Sequence, residues 1–344
     1  MDFKEKIKQL TDIGGVSAFE TEIAALLEKE LAQYCGEVHT DEFHNVIGYR
    51  RCKNEGAKTV LLEAHLDRIG LMVSDIDENG FVAFVNLGGV DERILPGAEV
   101  YILGKSENLY GVIGAKPPHL LSKEDEGKAA KIENMLIDTG LTREELQEQI
   151  SVGTPILLKS EYHELLGGRL SAPAMDNRAG VAAVLACLEQ LTDDCPYHVA
   201  VLFASQEELG LHGALTGTLQ IMPDMAIVVD VTHGATPETE KMAGVFPLGS
   251  GAAIGRGPNV EYDRTLELIQ TAREYQIPYT IEALAGASGT DAWVIQTLQS
   301  GVPVVLISIP LRYMHTTVET LDVQDVENVA ALMAAALNGG MFHA

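Results

Sequence analysis

A chain of 344 residues with 46% hydrophobic content can bury a large core and is long enough for two domains. Its composition is neither that of a disordered chain nor that of a fibre. The 50 acidic residues outnumber the 24 basic ones and leave a formal charge of -26, which repels phosphate backbones and anionic lipid heads. That balance argues against nucleic acid and membranes as partners.

The amino-terminal run MDFKEKIKQL lacks the apolar core of a signal peptide. The longest apolar stretches, such as VPVVLISIP at 302–310, fall short of the ~20 residues that span a bilayer and read as buried strands. Cys35, Cys52, Cys187 and Cys195 form no C-x-x-C pair and too sparse a set for a disulfide framework. They read as small core residues, and the cytoplasm is the expected compartment.

In chain order, residues 1–35 read as helical. Phe3, Ile7 and Leu10 share one helical face, and Ser17 with Glu20 has the spacing of a capping box ahead of Ile23, Leu26, Leu27 and Leu31. KTVLLEA at 58–64 reads as a strand buried on both faces. From about 73 to 163, short apolar runs alternate with glycine (FVAFVNLGG, AEVYILGK, YGVIGAK, TPILLK), the texture of a small β-domain. That stretch is expected to carry a helical insertion near 122–149, with Thr142 and Glu145 as a second capping box. Beyond 164 come a helix at 177–192, strands at YHVAVLFAS and MAIVVDV, and a helix at 262–275. YTIEAL, TDAWVIQTLQ, PVVLISI and DVQDVENVAALMAAAL then alternate strand and helix. The fold class is therefore α/β, a mixed or mostly parallel sheet covered by helices, with a small β-barrel-like domain inserted. The expected division is 1–72 and 164–344 for the catalytic domain and 73–163 for the insertion.

Polar residues gather where buried strands end. His65 and Asp67 close the first such strand, two apart and so on one side of it. Glu207 and Glu208 follow a second strand, Asp230 ends a third, and His315 follows a fourth, while Asp176 stands just before a helix. The carboxyl ends of strands are where open α/β sheets bind ligands. Each residue also has an ordinary reading. Glu208 could complete a capping box with Ser205, Asp176 could be an N-cap, and Asp67 could pair with Arg68. Those readings are weaker together, since all would have to coincide at one edge of one sheet.

Imidazole and carboxylate donors suit zinc, cobalt or manganese. Asp176, Glu208 and Asp230 offer three negative charges, which two divalent ions and one hydroxide would balance. A bound metal lowers the pKa of water to ~7. Glu207, beside Glu208, is the candidate to move that water's proton to a leaving amine. Neighbours on a regular strand face opposite ways, so the chain must leave strand geometry there, which Gly210 and Gly213 permit. The glycine-rich GSGAAIGRG at 249–257 does not spell a dinucleotide-binding G-x-G-x-x-G.

AHLDRIG at 64–70, AMDNRAG at 174–180, SQEELGLHGA at 205–214, VVDVTHG at 228–234, SGTDAW at 288–293 and SIPLRYMHTTVE at 308–319 stand in this order along the chain. Together with GVIGAKPPHLL at 111–121, they resemble the tetrahedral aminopeptidases, the glutamyl and deblocking aminopeptidase family of two-metal exopeptidases, along essentially the whole chain. The resemblance implies two metal ions per chain, zinc first and cobalt or manganese as alternatives. His65 and Asp230 would complete one site, Glu208 and His315 the other, with Asp176 bridging. Glu207 would be the general base for a metal-bridging hydroxide, and Asp67 would orient His65. It further implies short peptides as substrates and a homo-oligomer, expected as a twelve-subunit tetrahedron. Arg68 departs from the family, which commonly has an acidic residue there. A glycoside hydrolase using the paired carboxylates, or a metal-binding scaffold without activity, are the competing readings; the former has no need of His65 and His315, the latter none of Glu207.

Overall fold

The computed structural model describes residues 1–121, 123 and 127–341. Helices α1 (Phe3–Thr11) and α2 (Thr21–Leu31) precede β1 (Glu37–Thr40), β2 (Val46–Arg50) and β3 (Thr59–His65). Six strands follow: β4 (Gly70–Ile76), β5 (Val82–Leu87), β6 (Glu99–Leu103), β7 (Asn108–Ala115), β8 (Met135–Asp138) and β9 (Pro155–Leu158), with α3 (Arg143–Gln149) between the last two. Then come β10 (His163–Glu164), β11 (Arg169–Ala172), α4 (Met175–Gln190), β12 (His198–Ala204), α5 (His212–Ile221), β13 (Met225–His233) and β14 (Ala252–Arg256). The chain continues through α6 (Tyr262–Glu274), β15 (Tyr279–Ala283), α7 (Ala292–Ile295), β16 (Val304–Leu311), β17 (Glu319–Asp322) and α8 (Val323–Asn338).

Eight strands build one mixed sheet in the order β1-β2-β12-β3-β13-β16-β14-β15. Its centre, β12, β3, β13 and β16, is parallel, so the carboxyl ends of these four strands lie on one edge. Both faces are covered, which explains why the strands read as continuous apolar runs. Val60, Leu62, Val201 and Phe203 join one core with α4 and α8, while Leu61, Ala200 and Leu202 belong to a second core on the opposite face. The period of two along each strand sorts them.

The strands β4-β5-β8-β7-β6-β9 close into a barrel, with Leu71 on β4 paired to Ile156 on β9. Alternate residues such as Leu71, Val73, Val100, Ile102, Ile113 and Ile137 fill it. A small third sheet, β10-β11-β17, ties the start of the second α/β segment to the chain just beyond His315.

The structure corrects three sequence expectations. The helical insertion shrinks to α3, where the Thr142–Glu145 capping box forms with bonds of 3.3 and 2.8 Å. Met135–Asp138, inside the expected helix, is instead strand β8 with alternate residues buried, as its period-two pattern of apolar side chains favours; residues 122 and 124–126 lie outside the described residues. The Ser17–Glu20 box does not form. The Glu20 carboxylate accepts from the Ala18 and Gln206 amides instead, and the Ser17 hydroxyl has no hydrogen-bond partner. TDAWVIQTLQ contributes only the single turn α7. No helix among the described residues is long and apolar enough to cross a membrane.

Candidate metal centre

The parallel centre of the sheet delivers the site. His65 is the last residue of β3 and pairs in register with Ala204, the last of β12. After Ala204 the backbone turns sharply. Gln206 has φ +52° and Gly210 φ +124°, and the amides of Gly210 and Leu211 both donate to the Glu207 carbonyl. This turn takes Glu207 and Glu208 out of strand geometry and lets both side chains reach the sheet edge. Gly213 permits it sterically, because a Cβ there would sit 2.2 Å from the Ser205 carbonyl oxygen. Asp230 lies on β13 opposite Ser308 of β16, and His315 follows β16 at φ +62°. Asp176 opens α4 with non-helical torsions, and Asn177 takes the capping role by accepting from the Gly180 amide at 3.1 Å.

Two donor groups result, His65 with Asp176 and Asp230, and Asp176 with Glu208 and His315, each with ligand atoms within 4.8 Å of one another. They share Asp176. Its Oδ1 stands 3.0 Å from His65 Nε2 and its Oδ2 3.4 Å from His315 Nε2. His65 Nε2 is 3.8 Å from Asp230 Oδ1, and His315 Nε2 is 3.4 Å from Glu208 Oε1. All five expected ligand residues therefore converge, and Glu207 and Glu208 line the same cavity of about 450 Å³. Asp67 Oδ1 lies 3.3 Å from His65 Nδ1, outside hydrogen-bond angles. Its two oxygens also accept from the Glu207 and Glu208 amides at 3.0 and 3.2 Å. Asp67 is thus hydrogen-bonded to the glutamate turn and stands beside the His65 ring, and it forms no ion pair with Arg68. Arg68 is buried near Glu319, with its Nε unpartnered.

The electrostatics fit a cation-binding site. Burial pushes the Glu207 carboxyl up to about 10, Glu208 to about 8 and Asp230 to about 7. Burial also opposes charge on Asp176, but hydrogen bonds to His315 and His65 hold it below the usual carboxylate range. A hydrogen bond to Asp176 raises His315 to about 10. Crowded, desolvated carboxylates with two imidazoles aimed among them call for compensating positive charge, and the N/O donor set suits a divalent transition ion.

Several contributors are not evident in the sequence. Glu319, 1% exposed, accepts from the amides of Asp176 at 3.1 Å and His315 at 2.9 Å, anchoring two ligand-bearing residues at once. Gly89, in the barrel segment, offers its carbonyl to His315 Nδ1 at 2.9 Å, so that Nδ1–H points there and Nε2 faces the carboxylates. The segment between β5 and β6, to which the sequence assigns no part in the site, therefore helps build it. Glu63 and Asp291 are buried carboxyls within electrostatic reach of His65 and Asp230, each pushed up chiefly by burial. A charged residue inside an apolar strand, as in TVLLEAH, is the one signal that could have flagged Glu63.

Parallel strands bringing histidine and carboxylate donors to one edge define an α/β protein with a candidate two-ion metal site, joined to a six-stranded barrel. Residues 44–332 match the family described as M42 glutamyl aminopeptidase, and the chain belongs to that family of peptide-bond hydrolases. It is 33% identical to a lysyl aminopeptidase of Pyrococcus furiosus over 97% of this chain and 96% of that one. An aminopeptidase from the archaeon Desulfurococcus kamchatkensis superposes with TM-score 0.91 and 32% identity, covering 98% of this chain and 94% of the other. The TET1 peptidase of Pyrococcus horikoshii, described as assembling into a tetrahedron or a large octahedral shell, matches with TM-score 0.85 and 29% identity over 98% and 99%.

Proposed function

We propose that this aminopeptidase is metal-dependent and removes amino-terminal residues from short peptides, with His65, Asp176 and Asp230 holding one ion and Asp176, Glu208 and His315 a second. The observation that carries this reading is the division of Asp176, one carboxylate oxygen toward each histidine. Zinc is the preferred ion, with cobalt or manganese as alternatives. When bound, such ions acidify water and polarise a carbonyl. Glu207 lines the cavity and belongs to neither donor group, which leaves it free to take the proton of the attacking water and return it to the departing amine. Asp67 and Glu319 position the residues around it.

The closed barrel, which begins with β4 at Gly70 and ends with β9 at Leu158, supports reading the middle of the chain as an inserted domain close to the expected 73–163, with β4 starting three residues ahead of that bound. Val85 on β5, Leu136 on β8 and Tyr110 and Val112 on β7 are exposed on adjacent barrel strands. An apolar face of this kind supports burial against another copy of the chain, in a homo-oligomer such as the tetrahedral dodecamer. The unpaired cysteines fit a cytoplasmic setting. The test is exhaustive chelation followed by readdition of zinc, cobalt or manganese. Peptidase activity is expected to vanish and return, with about two ions per chain. Full activity in a metal-free sample would refute the proposal.

A further inference from the structure

Arg68 is a buried cation that the metal centre does not use. Its backbone is pinned between β3 and β4, where its amide donates to the Gly15 carbonyl at 3.1 Å and its carbonyl accepts from the Ser17 amide at 3.0 Å. The residue is 4% exposed, yet among the described residues its guanidinium makes no hydrogen bond and no ion pair. Glu319 is the opposing charge within its reach, and that carboxylate already accepts from the Asp176 and His315 amides. A second buried guanidinium, Arg178, adds positive charge nearby, although its own Nη1 and Nη2 donate to the Leu10 and Gly14 carbonyls. Burial lowers the Arg68 pKa only to about 10, so the group stays charged at neutral pH. A buried charge without a partner is costly, and a guanidinium cannot escape that cost by shedding its proton.

Arg68 lines a cavity of about 420 Å³ where the barrel meets the α/β body. Ile13 after α1 and Pro173 before α4 contribute one wall, and Tyr101 on β6 and Leu157 on β9 the other. None of its lining residues belongs to the cavity that holds the two donor groups. Tyr162 also lines it, and the buried Tyr162 hydroxyl has no hydrogen-bond partner. A guanidinium and a hydroxyl, both unpartnered, thus border one space. The other charges around it are accounted for. Lys8 pairs with Asp12 and Lys159 with Glu99, while Glu161 is exposed to solvent. The cavity is therefore positive at its buried end and apolar along its walls, in a chain whose overall charge is -26.

We propose that this cavity is an oxyanion site, in which the Arg68 guanidinium and the Tyr162 hydroxyl take the phosphate or carboxylate group of a small metabolite. The planar fork of a guanidinium matches both groups, and either one supplies the negative charge and the acceptors that the chain itself withholds. The cavity has room for more than the anionic group alone, and its apolar walls suit an organic body. Occupancy would join the barrel and the α/β body through one ligand. The site is independent of the peptidase reading.

The test follows thermal melts and calorimetric titrations of metal-loaded full-length protein with inorganic phosphate and with acetate, against chloride at equal ionic strength. Arg68→Met and Tyr162→Phe are measured beside it. About 10 mM phosphate or acetate is expected to raise the native melting temperature by roughly 2–6 °C more than it raises that of Arg68→Met. Anion that coordinates the proposed ions, or that acts through general salt effects, affects native and variant alike, so the difference belongs to this cavity. A larger increment with phosphate assigns the ligand to phosphate esters, and a larger one with acetate to carboxylates. In chloride, Arg68→Met should melt at or above the native temperature, because it removes a buried charge that has no partner. Tyr162→Phe keeps the shape of the ring and should weaken anion binding roughly 2- to 10-fold, the worth of one hydrogen bond. Equal increments in the native protein and Arg68→Met, a lower melting temperature of Arg68→Met in chloride, or unaltered anion binding in Tyr162→Phe overturns the proposal.

Discussion

Glu319→Gln is the most informative single substitution outside the donor set. In the native protein the two carboxylate oxygens accept from the backbone amides of Asp176 and His315, at 3.1 and 2.9 Å, in a fully buried position. Glutamine keeps the shape and one acceptor but turns an NH2 toward the other amide. One bond to a charged acceptor, worth about 1.5–3 kcal/mol, is lost, and a buried N–H is left unsatisfied at a cost of about 1–3 kcal/mol. Relief of the charge burial that pushes Glu319 up to about 8 returns part of this. A net loss of about 2–4 kcal/mol follows, concentrated on the two residues flanking one proposed ion. Metal affinity should fall roughly 10- to 100-fold, as for other groups that orient metal ligands. Thermal melts with and without zinc, together with a cobalt titration followed by absorbance, measure both effects. Unaltered melting and unaltered metal affinity would refute the anchoring role.

Glu207→Gln should lower kcat roughly 100- to 10,000-fold with metal content and fold retained, whereas Glu208→Gln should lose metal; equal metal content in the two variants would overturn that split of roles. Phe203→Ala, at a fully buried position on β12, should cost about 3–5 kcal/mol in denaturant unfolding. Burial raises Asp325 to about 6 in the folded protein, against an ordinary 3.8. Its contribution to stability is therefore fully present below ~3.8 and lost as pH rises through about 6, by up to about 3 kcal/mol. Asp325→Asn should flatten that stretch of the stability–pH curve, and a slope identical to the native one would contradict it. Light scattering should report a mass of several subunits, and a stable monomer would sink the assembly proposal.

The sequence by itself determines the fold class and the ligand types. The reason is local: buried parallel strands are unbroken apolar runs, and a histidine or carboxylate directly after such a run must lie at the carboxyl edge of the sheet. His65, Glu208, Asp230 and His315 are legible on that ground, and the motifs that contain them make the family recognisable. The capping box at Thr142 is legible for the same reason, since both its partners lie within one turn. The tertiary structure decides everything that depends on which distant segments meet. The partnership of Glu319 with the amides of Asp176 and His315, the reach of the Gly89 carbonyl from the barrel to the His315 ring, and the approach of Glu282 to Thr232 each join residues far apart in the chain. No local pattern encodes such pairings. They follow from strand order and from barrel closure, which are set by burial summed over the whole core.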